Sequence, residues 1–453
     1  MAVTAEGSIG HELPGFRGEL LGTTDPGYEE ARGVWNAMID RRPAVVARCT
    51  GAADVIAAVN YAREHELRVA VRGGAHNVAG LATCDDGVVI DLAPMKGIRV
   101  DAAARTVHAQ AGLRWGEFDH ETQAFGLATT GGTVGDTGIA GLTVGGGFGW
   151  LSGKYGMTID NLLAADVVTA DGSLVKASAD ENPDLFWGIR GGSGNFGVVT
   201  SFEFQLHPVG PMITGGAVFH PLPRAAEVLS FYREFMASAP DELTAYAGLL
   251  TGPGGPVVAI AAAHCGAPDE AEQALRPLKE FGPPVQDLVG PIPYVVQQTL
   301  FDEAMPPRLH NYWKSDFLTG LTEDVIELAA DYYARVPSQR SVALIVPING
   351  VASRVPVTET AFPHRGGVMI GIYSLWDDPA RTDENVAWAR GFWDAIQPFA
   401  SGGVYVNELA VDEGEDRVRL AFGPNYDRLT QVKAKYDPTN LFRLNANIKP
   451  AGS

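Results

Sequence analysis

Cysteine, positive charge and long apolar runs are all scarce in this 453-residue chain. Its three cysteines, Cys49, Cys84 and Cys265, form no CxxC pair. That removes the common zinc and iron–sulfur frameworks and a disulfide scaffold, so no metal site is expected. The three thiols read as small buried apolar residues. Lys+Arg number 34 against 54 Asp+Glu, a net charge of −20, and no basic run exceeds two residues. Binding to nucleic acid needs clustered cations, so nucleic acid is excluded as a partner. No apolar stretch approaches the roughly 18–20 residues of a membrane span, so no membrane partner is expected. The start, MAVTAEGSIGHELPGF, has no basic region followed by an apolar one. No secretory leader is visible there, and a cytoplasmic location is the default expectation.

What the chain does have is core-forming residues and glycine. It is 46% hydrophobic and only 19% charged, enough to bury a large interior. Its length suits two or three domains. Of its 54 glycines, 25 fall within residues 73–197, with no G-X-Y period. Something in that stretch requires sharp turns or close approach of the main chain to another body.

The fold class predicted is α+β. A helix is expected over 26–39, a strand over 43–49, a helix over 51–66 and a strand from residue 67 into the first glycines. Further strands follow at 88–92, 97–101 and 105–112, with a helix over 115–125. Residues 162–176 read as two strands around an Asp171-Gly172 turn, a strong hairpin signal. From about residue 208, amphipathic helices at 223–238, 268–281, 322–335 and 380–398 alternate with strand-like runs at 256–264, 341–347 and 367–376. Residues 403–411 read as a strand and 424–435 as a helix.

A literal G-x-G-x-x-G occurs at Gly192-Ser193-Gly194-Asn195-Phe196-Gly197. A helix precedes it and a strand follows, the reverse of a Rossmann site. Arg72-Gly73-Gly74-Ala75-His76-Asn77 follows a strand, and Gly145-Gly146-Gly147-Phe148-Gly149 forms a second glycine loop. Such loops either are plain tight turns or aim successive N–H groups at a pyrophosphate, an anion nest that needs no lysine. His76 inside the first loop is the leading candidate for chemistry, because a neutral imidazole is nucleophilic.

These stretches together resemble the FAD-linked oxidases of the vanillyl-alcohol-oxidase (PCMH-type) group, and more narrowly the berberine bridge enzyme-like family. The resemblance is carried by Val71 to Asn77, by Gly141 to Gly149, by Lys154-Tyr155-Gly156 through Asp160-Asn161, and by Asp184-Leu185-Phe186-Trp187 to Gly197. At the C-terminus it is carried by Tyr405-Val406-Asn407 and by Lys435-Tyr436-Asp437-Pro438 to Phe442. It implies a two-part FAD-binding domain over 1–207 and an α+β substrate domain with an antiparallel sheet over 208–402. A C-terminal segment, 403–453, is expected to return to the first domain.

The resemblance implies FAD bonded covalently through His76, which holds the cofactor and raises its potential. Many relatives carry a second, cysteine anchor where this chain has Val134, so a single attachment is expected. Thr137 matches a position that modulates oxygen access. The flavin contacts implied are Arg72, Gly73, Gly74, Ala75, His76, Asn77, Gly80, Val134, Asp136, Thr137 and Gly141. They continue through Gly145, Gly146, Gly147, Phe148, Gly149, Asn161, Gly197, Val199, Asn445 and Asn447. Phe148 replaces the tyrosine base of some relatives, and Gly371 to Trp376 lacks the glutamate of others. Tyr405 and Asn407, two apart in a presumed strand, are expected to face the flavin. Tyr405 would accept a proton if its pKa is lowered, with Tyr373 as a second candidate, while His364 reads as structural. The activity implied is removal of hydride from a C–H beside O or N of a small organic molecule. O2 is the expected acceptor; a dehydrogenase with another acceptor or a non-catalytic flavoprotein are the alternatives.

Overall fold

The computed structural model describes Leu13 and residues 15–452. The stretch read for a leader falls largely outside them, since residues 1–12 are not described. Valine-rich strands Val45–Arg48, Val88–Asp91 and Val69–Arg72 pair in parallel, with Glu19–Gly22 antiparallel at the edge. Parallel neighbours need a crossover, and helix Ala52–Glu64 supplies one. Its Val55, Ala58, Val59 and Ala62 recur at helical spacing and are fully buried.

A second, five-stranded antiparallel sheet joins Ile98–Asp101, Thr106–Gln110, Val198–Gln205, Leu162–Val168 and Leu174–Ser178, in that order. The Asp171-Gly172 turn closes the last hairpin, with Gly172 at φ +83° and Val168 opposite Leu174. The third sheet is antiparallel, has eight strands and draws them all from between Met212 and Trp376.

Period-two alternation gives this third sheet two distinct faces. Ala245, Ala247, Ala343, Ile345, Ile370 and Ile372 face helices Ala225–Ala237, Glu323–Tyr333 and Thr382–Ile396 in one core. The alternate residues Tyr246, Leu344, Val346, Met369 and Tyr373 line a cleft on the other side. The glycine-dense region closes against that side through Trp150 and Met157, which share a core with Phe362 and Tyr405. Near the C-terminus, Val404, Leu409, Leu429, Phe442 and Ile448 join the core that holds Val45 and Ile90. No helix among the described residues is long and apolar enough to cross a membrane.

Two elements differ from expectation, one shortened and one replaced. Of the helix expected over 26–39, only Tyr28–Ala31 is helical. Beyond it the chain spends its polar groups on distant partners. Trp35 N donates to Ala75 O, and Asn36 Nδ2 donates to Val78 O and Asn311 O. The strand expected over 403–411 is a 3₁₀ turn, Val406–Glu408, in which Glu408 N donates back to Tyr405 O at 2.9 Å. Side-chain anchoring of Tyr405 and Asn407, described next, takes the place of strand pairing.

Candidate active site

The cleft runs between the glycine-dense region and the antiparallel sheet, with about 1910 Å³ of atom-free space, mouth included. Strand Val69–Arg72 delivers the first glycine loop to its wall. A Cβ on Gly74 would sit 2.6 Å from Gly138 Cα and closer still to its N, so only glycines let these two loops touch through their backbones. Ala75 takes a left-handed conformation at φ 59°, and its carbonyl accepts from Trp35 N at 3.1 Å. That presents His76 with its ring stacked on Trp35, centroids 4.3 Å apart. Trp35 in turn meets the edge of Trp313. His76 Nε2 is buried and has no hydrogen-bond partner. Desolvation, reinforced by the charge of Arg114, lowers its pKa to about 4, so the imidazole is neutral at pH 7.

The second glycine loop is built differently from the nest the sequence suggested. Gly145 N donates to Gly141 O, Gly146 N to Thr143 O, Gly147 N to the Tyr405 hydroxyl and Gly149 N to Ser152 Oγ. Its donors are spent inside the protein, and of this loop only Phe148 lines the cleft. Its glycines serve close packing. A Cβ on Gly145 would strike the Asn407 side chain, and one on Gly149 would strike Gly131 O. The G-x-G-x-x-G stretch is likewise a packing element for the C-terminus. Asn195 Nδ2 donates to Gly192 O and Ala446 O, its Oδ1 accepts from Ile448 N, and its carbonyl accepts from the buried Lys433 Nζ at 2.7 Å. Two cleft-lining glycines are unlike the rest: a Cβ on Gly141 or Gly194 would meet no protein atom within 4 Å.

Gly73, Gly74, Ala75, His76, Asn77, Val134, Thr137, Gly141, Phe148, Gly197, Val199, Tyr405, Asn407 and Asn445 all line this one cleft. The other expected contacts do not. Arg72 turns away, donating to Ala31 O and facing Asp91. Gly80 packs against Ile39, and Asp136 pairs with Arg114. Asn161 holds Tyr155 O and Met157 O and meets His207 Nε2. Gly145, Gly146, Gly147 and Gly149 are packing residues, and Asn447 lies outside the lining with its buried Oδ1 unpartnered. Asn445 donates to Gly194 O and Phe442 O and keeps a buried, unpartnered Oδ1. His364 is structural, its Nε2 meeting Ala421 O at 3.0 Å.

Elsewhere in the cleft lining, Tyr405 and Asn407 are brought together, though by the turn and not by a strand. Asn407 Nδ2 donates to the Tyr405 hydroxyl at 2.9 Å, and Gly147 N donates to the same oxygen at 3.1 Å. Burial pushes the Tyr405 pKa up, opposite to what a proton acceptor needs. Its hydroxyl oxygen accepts twice and keeps its own hydrogen, so Tyr405 is a donor. The sequence reading missed Glu408. This carboxylate lines the cleft, accepts from Tyr373 Oη at 2.7 Å through Oε1, and has a buried, unpartnered Oε2. Burial raises its pKa to about 7. Strand periodicity sent Glu408 to the face opposite Tyr405; the 3₁₀ turn, at about 120° per residue, brings it round. The signal in the sequence was a lone carboxylate inside an apolar run, Val404 to Val411. Among the described residues no lysine or arginine lines the cleft.

Comparison with known proteins agrees with this arrangement. Residues 43–178 match the FAD binding domain family, and residues 404–449 match the family described as berberine and berberine like. An FAD-linked oxidoreductase of Dictyostelium discoideum is 33% identical over 422 residues, covering 92% of this chain and 91% of its own. The (R)-6-hydroxynicotine oxidase of Paenarthrobacter nicotinovorans is 31% identical over 452 residues, covering 97% and 98%. The crystal structure of 6-hydroxy-D-nicotine oxidase from Arthrobacter nicotinovorans superposes with a TM-score of 0.88 at 29% identity, covering 96% of this chain and 98% of that one. Matched over nearly its whole length at this level, and carrying both of these family matches, the chain belongs to the berberine bridge enzyme-like family of FAD-linked oxidoreductases.

Proposed function

We propose that this FAD-dependent oxidoreductase is an oxidase whose flavin is bonded once, through His76. Its substrate is a small organic molecule oxidised at a C–H next to O or N. The observation that carries the reading is the neutral His76 imidazole with a buried, unpartnered Nε2 in the cleft wall. A neutral ring nitrogen is the form that attacks an electrophilic carbon. The rest of the cleft suits the cofactor. The unpartnered Asn445 Oδ1 awaits a donor, and the space beside Gly141 and Gly194 is free of protein atoms. His76, Val134, Thr137, Gly141, Gly194, Val199 and Asn445 would hold the group, and Val134 cannot form a second covalent link. When bound, FAD supplies the two-electron acceptor for hydride and hands the electrons on, here to O2 with release of H2O2.

The chain's own residues do the remaining work. Trp35 fixes the His76 ring by stacking, and Trp313 backs Trp35. Phe148, Tyr246, Leu344 and Met369 make a wall that excludes water and favours apolar parts of a substrate. Tyr405, locked by Asn407 and Gly147, presents a hydroxyl donor of fixed orientation.

The test is acid denaturation of the purified protein followed by filtration through a protein-retaining membrane. Yellow colour should stay with the wild-type chain and pass through with His76→Ala. Wild-type colour in the filtrate would refute the covalent link. Substrate-dependent O2 uptake with peroxide release is the expected result in an oxygen electrode. Turnover with an artificial dye but no O2 uptake would refute the choice of acceptor.

A further inference from the structure

We infer that Glu408 takes the proton from the reacting hydroxyl or amine of an apolar aromatic substrate, and that Tyr373 is its positioning residue. The inference rests on the flavin oxidoreductase reading above and names the residue that makes the substrate's C–H able to leave as hydride.

The cleft offers few acceptors. His76 is taken up by the cofactor end. Tyr405 already accepts two hydrogen bonds and holds its proton. Tyr246 stacks on Trp150, centroids 4.8 Å apart, and burial keeps it protonated. Asn407 has no proton-accepting chemistry at neutral pH. Among the described residues Glu408 is the one carboxylate in the lining, and it is half-committed by design. Tyr373 Oη donates to Oε1 at 2.7 Å, which leaves Oε2 as the acceptor without a hydrogen-bond partner, with the Ser315 hydroxyl facing the carboxylate. Tyr373 is itself fixed, tilted against Trp313 with centroids 4.7 Å apart, on the central part of strand Val368–Trp376.

The groups facing Glu408 from each packed element are few. They are Tyr373 on its own strand, Ser315 on strand His310–Leu318, and Tyr405 beside it in the turn. Both phenols are weaker acids than the carboxyl, and among the described residues no lysine or arginine lines the cleft. A carboxyl surrounded in this way titrates near neutral pH, where a general base is most effective. Tyr373 remains a donor whether Glu408 is ionised or not, so the free oxygen stays in place through the proton transfer.

The chemistry balances as follows. The substrate O–H or N–H bond breaks and its proton joins Glu408 Oε2. The adjacent C–H bond breaks with its electron pair leaving as hydride to the FAD acceptor. The carbon is oxidised to C=O or C=N. The hydride and the proton together reduce O2 to H2O2, which regenerates the carboxylate. The substrate class follows from the walls. Phe148, Tyr246, Trp313, Leu344 and Met369 offer no hydroxyl-binding array for an oligosaccharide, apart from the tyrosine and indole tips. They suit an aromatic ring bearing one alcohol or amine.

Two measurements on the holoenzyme test this. The first needs no substrate: infrared titration of the resting protein, wild type minus Glu408→Gln. A protonated-carboxyl band should vanish with a midpoint near pH 7, as the raised value implies. In Tyr373→Phe the midpoint should rise by roughly one pH unit, since a donor to the ionised form is lost. The second is anaerobic reduction of the bound flavin by benzyl alcohol and by benzylamine. Glu408→Gln should slow it by about 10²–10⁴-fold and abolish its rise with pH, with acid-resistant colour retained. Glu408→Asp should recover part of the rate together with the pH dependence, and it carries the test if the glutamine variant does not fold. Retained colour with an unchanged rate in Glu408→Gln overturns the base and leaves the flavin reading standing. A midpoint in the ordinary carboxylate range also overturns the base. Reduction by neither compound in the wild type overturns the substrate class.

Discussion

Asp119→Asn should stabilise the protein increasingly as pH rises. Helix Trp115–Gln123 buries Asp119 where it meets Gln298, whose Nε2 donates to Oδ2 at 2.9 Å; Oδ1 is buried without a partner. Desolvation raises the carboxyl from 3.8 to about 7, against the weaker opposing effect of Gln298. A raised folded-state pKa means that the stability associated with the protonated group is complete below the unfolded value. It is lost progressively as pH climbs to the folded value. At about 1.4 kcal/mol per pH unit, the loss is about 2 kcal/mol at pH 5 and up to about 4 kcal/mol at pH 8. Asparagine keeps the acceptor for Gln298 and carries no charge, so it escapes that loss. Urea unfolding midpoints of both proteins at pH 5 and pH 8 measure the gap between them. The gap should widen by about 2 kcal/mol between the two pH values. A gap that stays constant would mean that Asp119 ionises alike in both states, and the account of its burial would be wrong. The site matters beyond stability, because Gln298 also donates to Gly132 O, which leads into cleft residues Val134 and Thr137.

Two further perturbations separate packing from ligand space and test the C-terminal tether. Gly74→Ala drives a Cβ into the Gly138 backbone and should cost about 1–3 kcal/mol in the thermal unfolding midpoint. Gly141→Ala, in helix Ile139–Val144, meets no protein atom and should leave or slightly raise that midpoint, while flavin content by absorbance falls. Asp437→Asn removes the carboxylate that accepts from Lys433 Nζ, Leu441 N and Phe442 N, leaving a fully buried ammonium with carbonyl partners only. A cost of roughly 3–5 kcal/mol in urea unfolding is expected, with faster proteolysis near the C-terminus.

Elements whose pattern is local could be read from the sequence. The Asp171-Gly172 hairpin and the helix carrying Val55, Ala58, Val59 and Ala62 are specified by neighbours a few residues away. His76 could be found because its loop follows a strand and holds one imidazole among glycines. The role of each glycine could not be found that way. Gly145 and Gly141 are equivalent in sequence terms, yet a Cβ on one strikes Asn407 and on the other points into open space. That difference depends on residues more than 250 positions away, which no local pattern encodes. Glu408 was missed for a related reason. Its direction is set by a turn that forms because Tyr405 and Asn407 are anchored on Leu142 O and Gly147 N, so the strand period never applied.

The charge distribution would give the proposed covalent bond a physical purpose. The chain carries a net −20, and no lysine or arginine lines the cleft among the described residues. A pyrophosphate held there would be opposed by the field of the whole protein and by Glu408 whenever that carboxyl is ionised. The second glycine loop, whose N–H groups are spent on Gly141 O, Thr143 O, Tyr405 and Ser152, gives little help. Electrostatics therefore opposes non-covalent binding of a dianionic dinucleotide, and should oppose it more as salt falls and screening is lost. The proposed bond from His76 would separate retention from affinity. It would let the cleft keep the low polarity that holds Glu408 near neutrality without losing the cofactor. On this view His76→Ala should bind added FAD more tightly at high salt than at low salt. The opposite dependence would reveal a cationic phosphate site that the cleft lining does not contain.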